Sequence, residues 1–142
     1  MKTIFFFITL IGGLFLSSCS EKKTALKDEV MAIHDSIMPR MSELMDLQET
    51  LTLELTQTDS LLAAHPADSA LISRQSQLQR LIANLKGADQ AMMHWMHEYN
   101  ADTLTKLEAK QADLYLQNQK KAIETVRDQM QKSITDAQTF RP

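Results

Sequence analysis

Glycine, proline, cysteine and aromatic residues are all scarce in this chain. Of its 142 residues only three are Gly, three Pro and one Cys. Gly12 and Gly13, with Phe5, Phe6, Phe7 and Phe15, fall in the first sixteen residues, which leaves Gly87 alone in the rest, with Pro39 and Pro66 the interior prolines. A β-sandwich or a doubly wound α/β domain needs many tight turns, so one internal glycine argues against both. A single Cys gives no intrachain disulfide. Positive charge is not in surplus either. Fifteen basic residues face eighteen acidic ones without clustering, for a formal net charge of −3, which argues against a nucleic-acid surface. The longest apolar run, Ile4 to Leu16 with only Thr9 interrupting, gives ~20 Å of helix against the ~30 Å of a bilayer core. Enzyme signatures are missing too. There is no Gly-rich phosphate loop, and His97-Glu98 is not followed by the second His of a zinc-protease helix, because position 101 is Ala101. The length suits one domain.

What is present begins with an address. Lys2 supplies a positive start, the apolar run follows, and Leu16-Ser17-Ser18-Cys19 closes it. This order reads as a secretory signal, and the tetrapeptide resembles the bacterial lipobox. That resemblance implies a signal peptide over residues 1–18, cleavage before Cys19, and a covalent lipid with palmitate-type acyl chains on Cys19. Each buried methylene adds ~0.8 kcal/mol, so several chains make a stable membrane anchor. The only thiol is then consumed. Ser20 stands where inner-membrane-retained lipoproteins of enteric bacteria carry Asp, which favours the outer membrane. Ser20-Glu21-Lys22-Lys23 leaves the periplasmic or surface face open.

The body of the chain is patterned for helices. From Leu26 the apolar positions run Val30, Ile33, Ile37, Met41, Leu44, Leu47, Leu51 and Leu55 at steps of three and four, a helical seam. Thr58 interrupts it, Leu62 resumes it, and His65-Pro66-Ala67-Asp68 ends it. Leu71, Leu78, Leu81, Leu85, Ala88, Met92, Trp95 and Tyr99 form a second seam, with Asp68 or Ser69 as its cap. Leu116, Ile123, Val126, Met130, Ile134 and Ala137 form a third, with Asp102 or Thr103 as its cap. The pattern predicts an all-α fold: a short tether over 19–25, then an antiparallel up-down-up, coiled-coil-like bundle of three long helices over about 26–62, 68–99 and 103–139. Its remaining apolar edge leaves room for homo-oligomers.

Methionine and histidine stand above background. Met31, Met38, Met41 and Met45 lie on the first helix; Met92, Met93 and Met96 lie together on the second. A turn near His65 and Pro66 brings Met38 opposite Met92, His34 opposite Met96 and Met31 opposite Tyr99, by the geometry of a short helical hairpin. Thioethers with one imidazole suit Cu(I) or Ag(I), so His34, Met38, Met92 and Met96 form a candidate soft-metal site. Met is also a flexible core filler beside aromatic rings, and that packing reading is preferred, with no cofactor. His94 and His97 point away from the seam and read as solvated. Pro39 lacks an amide hydrogen, so it favours a kink.

Three segments together resemble a known family: Val30-Met31-Ala32-Ile33-His34-Asp35 with Met38-Pro39-Arg40-Met41, Ala91-Met92-Met93-His94-Trp95-Met96, and Tyr115-Leu116-Gln117-Asn118-Gln119-Lys120-Lys121. In this order behind a lipobox they are similar to small helical lipoproteins of Bacteroidota that often carry the label "viral A-type inclusion protein". The resemblance implies a helical envelope lipoprotein and supplies no activity. The expectation is a non-enzymatic protein that works by helix-face contacts with another envelope component.

Overall fold

The computed structural model describes residues 18–140. Apart from Ser18, the signal segment expected over 1–18 lies outside the described residues. Among those residues the fold is all-helical, with no strand: α1 (Ser18–Ile37), a 3-10 turn (Met38–Arg40), α2 (Met41–Ala64), α3 (Ser69–Glu98), α4 (Thr103–Lys106) and α5 (Ala109–Thr139). None of these helices is long and apolar enough to cross a membrane.

A seven-residue period selects the buried side chains. Along α1 and α2, Val30, Ile37, Leu44, Leu51 and Thr58 are each at most 3% exposed. On α3, Leu78, Leu85 and Met92 are fully buried, and on α5 Leu116, Ile123, Met130 and Ala137 occupy the same role. Seven residues in two turns keep one stripe facing the neighbouring helices. Each buried Leu or Ile contributes about 1.5–3 kcal/mol of apolar burial. Thr58 joins the stripe without an orphaned donor, because its hydroxyl donates to the Glu54 carbonyl at 2.8 Å.

The kink expected at Pro39 is a 3-10 turn, so the stretch read as one helix over 26–62 is two. Pro39 cannot donate to a carbonyl one turn back, and the residue before a proline is pushed away from helical geometry. The Met41 amide donates to the Met38 carbonyl, and α2 resumes at once. Ile37 and Leu44 flank the turn seven residues apart, so the stripe keeps its phase across it.

The second helix starts as the sequence predicts. The Asp68 carboxylate accepts from the Ala70 and Leu71 amides at 2.9 and 3.1 Å, the N-cap arrangement that satisfies two free donors.

Two other boundaries correct the sequence reading. The stretch read as a tether, 19–25, is helical, and Cys19 stands in the first turn of α1. No Gly or Pro interrupts Ser20 to Leu26, and Lys23 Nζ donates to the Leu104 carbonyl at 2.8 Å, docking this end onto α4. The helix expected over 103–139 is broken by an extended Leu107 (φ −94°, ψ 141°), which leaves α4 as one turn. Leu104, 5% exposed, anchors that turn in a second small cluster with Leu26, Leu107, Ala112, Tyr115 and Leu116. Asp102 precedes α4 but makes no side-chain cap bond. Its amide donates to Asn100 Oδ1 at 2.9 Å and the Thr105 hydroxyl donates to the Asp102 carbonyl at 2.8 Å, bonds that hold the turn together with burial of Leu104.

α2 packs along α3, α1 along α5, and α5 also touches α3 and α2. Polar pairs mark the level of each contact. Arg74 meets Glu54 at 2.8 Å, Lys120 meets Glu29 at 2.6 Å, and Ser133 Oγ donates to the Asn84 carbonyl at 3.2 Å. Such partly exposed ion pairs contribute about 0–1 kcal/mol each; the stripe supplies most of the stability.

Leu44→Ala is expected to cost about 2–5 kcal/mol, and Asp68→Ala about 1 kcal/mol, in urea unfolding followed by helical circular dichroism. Equal losses would mean that the stripe does not dominate stability.

Candidate functional site at the aromatic end

One end of the molecule gathers three of the four Phe, Tyr and Trp rings of the described residues, together with His34. The His34 ring from α1 lies 5.4 Å from Trp95 on α3, at a 30° tilt. Trp95 stacks on Tyr99 at 5.1 Å and 22°, and Tyr99 meets Tyr115 of α5 at 6.4 Å and 31°. Helical spacing builds this ladder. Trp95 and Tyr99 are one turn apart on α3 and share a face. Ring pairs at these separations add about 0.5–1.5 kcal/mol each beyond burial. The Tyr115 hydroxyl ties the ladder to the turn after α3, accepting from the Asn100 amide at 2.9 Å.

Several methionines share the core to which Trp95 and Tyr99 belong. Met92 is fully buried, and Met38 and Met96 pack partly buried against the same core. Met45 and Met93 are exposed. His34 is half-buried, its side chain 16% exposed, and its Nδ1 lies 2.9 Å from an Asp35 carboxylate oxygen. A carboxylate accepts only, so Nδ1 carries the hydrogen and donates it. The structure brings His34 to Trp95, the residue beside Met96, within one residue of the facing predicted from the hairpin. His94 and His97 are exposed. Among the described residues, no three His, Cys, Asp or Glu side chains come together as a metal-ligand group.

Three buried polar atoms at this end have no hydrogen-bond partner among the described residues: Trp95 Nε1, Tyr99 Oη and Gln119 Oε1. Gln119 sits one turn on from Tyr115, and Trp95 one turn back from Tyr99. The Tyr99–Tyr115 and Asn84–Ser133 contacts run the two helices past each other so that Gln119 falls at the level of Trp95. An amide carbonyl buried without a partner costs about 1–3 kcal/mol. Gln119 was absent from the seam read in the sequence, although its spacing from Leu116 and Ile123, three and four residues, places it on the stripe. Burial, and secondarily the nearby Tyr115, pushes the Tyr99 hydroxyl above the usual phenol range.

No protein-family model, curated protein or solved structure matches this chain.

Gln119→Met keeps the volume and removes the unpaired carbonyl, so it is expected to raise unfolding stability by about 1 kcal/mol, measured by urea titration. A loss of stability would show that the amide has a partner in solution. For Tyr99, a folded pKa above the unfolded one means stability falls as pH rises past about 10 toward the folded value. Tyr99→Phe is expected to lose less stability than the native chain between about pH 9 and about pH 11, by denaturation at both pH values. Parallel losses would contradict the assignment.

Proposed function

We propose that this chain is a lipid-anchored, non-enzymatic helical bundle of the bacterial outer membrane that acts by docking an envelope protein onto its α2–α3 hairpin. The anchor rests on the charged start, the apolar run and Leu16-Ser17-Ser18-Cys19, with the lipid on Cys19. The resemblance to the Bacteroidota lipoprotein family belongs to this reading. So does an up-down-up course for the three long helical stretches. Its support is that partner numbers sum to 128 and 134 between α2 and α3 and to 217 and 214 between α3 and α5, whereas between α5 and the α1–α2 stretch they differ by 91 and 95.

One observation carries the contact function. Phe140, just past α5, lies under the Arg74 guanidinium at 5.3 Å. Beyond that level α2 and α3 run on toward the His65-Pro66 turn with only each other for cover among the described residues. Leu61 is 52% exposed there and Ile72 45%. Large apolar side chains left uncovered at the free end of a hairpin suit a helix-face partner.

Two measurements test this. Cys19→Ser is expected to move the protein from the membrane to the soluble fraction and abolish labelling by radioactive palmitate. A photo-crosslinking residue at position 61 or 72 is expected to give one discrete adduct in intact envelopes, whereas position 117, on exposed α5, gives none. Retention in the membrane by the serine variant would overturn the anchor, and absence of adducts at 61 and 72 would overturn the contact role.

A further inference from the structure

We infer that the aromatic end holds a site for one soft monovalent metal ion, Cu(I) or Ag(I), with His34 Nε2 and the Met96 and Met92 thioethers as ligands, Met38 at the same level, Asp35 orienting the imidazole, and the Trp95 face covering the ion.

The argument starts from His34. Its Nδ1–H is committed to Asp35 at 2.9 Å, and Nε2 has no hydrogen bond among the described residues. An imidazole that donates from one nitrogen to a carboxylate and keeps the other bare is the arrangement that metal-ligating histidines adopt. Asp35 is exposed while the His34 side chain is 16% exposed. The pair therefore has one end in water and the bare nitrogen at the edge of the core.

The side chains that helical spacing brings to the level of His34 are soft. Trp95 stands against the His34 ring at 5.4 Å, and Met96 follows it while Met92 precedes it by one turn on the same helix. Met38 lies one turn beyond His34, in the 3-10 turn forced by Pro39, and packs against the core that contains Met92. Thioethers and a single imidazole favour Cu(I) and Ag(I) over Zn(II), Ca(II) or Mg(II). Among the described residues no cluster of three His, Cys, Asp or Glu side chains offers a harder cation an alternative. An indole face about 5–6 Å from a cation adds attraction and keeps water from the ion. Methionine's three rotatable bonds let the sulfurs turn inward without moving a helix. Binding is simple coordination: Nε2 and the sulfurs supply lone pairs, Nδ1 keeps its hydrogen, and no electron or proton is transferred.

The chain contains one tryptophan, so its fluorescence reports on this site alone. The test uses the full chain in detergent, with Cys19→Ser to remove the only thiol, titrated with Ag(I) and, anaerobically, with Cu(I) against a competing chelator. Trp95 emission is expected to fall to an end point at one equivalent, and Zn(II) to leave it unchanged. His34→Gln and Met96→Leu, neither at a fully buried position, are each expected to weaken binding at least about tenfold. Asp35→Ala weakens it about 10–100-fold. The exposed-methionine pair Met45→Leu and Met93→Leu leaves it as it was. Helical circular dichroism on each variant separates loss of ligand from loss of fold, and Met92→Leu is a volume-conserving second check. No quenching in the folded protein overturns the site. So does quenching that His34→Gln and Met96→Leu leave intact while Met45→Leu and Met93→Leu remove it.

Discussion

The seven-residue stripe through Val30, Ile37, Leu44, Leu51 and Thr58 is the constraint on which the remaining structure depends. Every helix packs against it or against a neighbour that does. Its persistence across the Met38–Arg40 turn matters most, because a proline in a helix interior normally costs ~3 kcal/mol and redirects the chain. Here the backbone loses a hydrogen bond but the side chains keep their phase, so Ile37 and Leu44 both remain buried. Thr58 shows the same economy on a smaller scale: a polar residue stays in the stripe because its hydroxyl is satisfied by its own helix.

The two ends of the molecule differ in character for a related reason. Where α1, α3 and α5 meet, three elements converge and large rings fill the space between them. That crowding brings His34, Trp95, Tyr99 and Tyr115 into one ladder and strands three polar atoms without partners. A fully apolar end would be more stable. At the opposite end α5 stops beside Arg74, and α2 and α3 continue as a pair whose outer apolar residues meet water. Crowding at one end and incomplete cover at the other are both consequences of where α5 lies.

Much of this was legible in the chain. The all-helical class followed from scarce glycine and steps of three and four, the second cap was found at Asp68, and the break at Pro39 was visible because proline lacks an amide hydrogen. The level of His34 beside the Trp95 end of α3 followed from the short hairpin at His65 and Pro66. Other features were hidden. The helical state of 19–25 was obscured because its residues carry no apolar seam, and its contact, from Lys23 to a carbonyl 81 residues away, has no local signature. The interruption at Leu107 had none either: an apolar residue in extended geometry looks the same in sequence as one in a helix.

By itself the sequence determined the periodicities, the capped and broken ends of the helices, and which side chains are too apolar to face water. These are local properties, set by backbone chemistry and by spacing on one helix. Only the tertiary structure decided that the Gln119 carbonyl would be buried without a partner, that Trp95 of α3 would lie against the His34 ring of α1, and that Lys23 would reach the Leu104 carbonyl. Those depend on how far one helix slides along another. A shift of a single residue, ~1.5 Å, would have replaced every one of these neighbours.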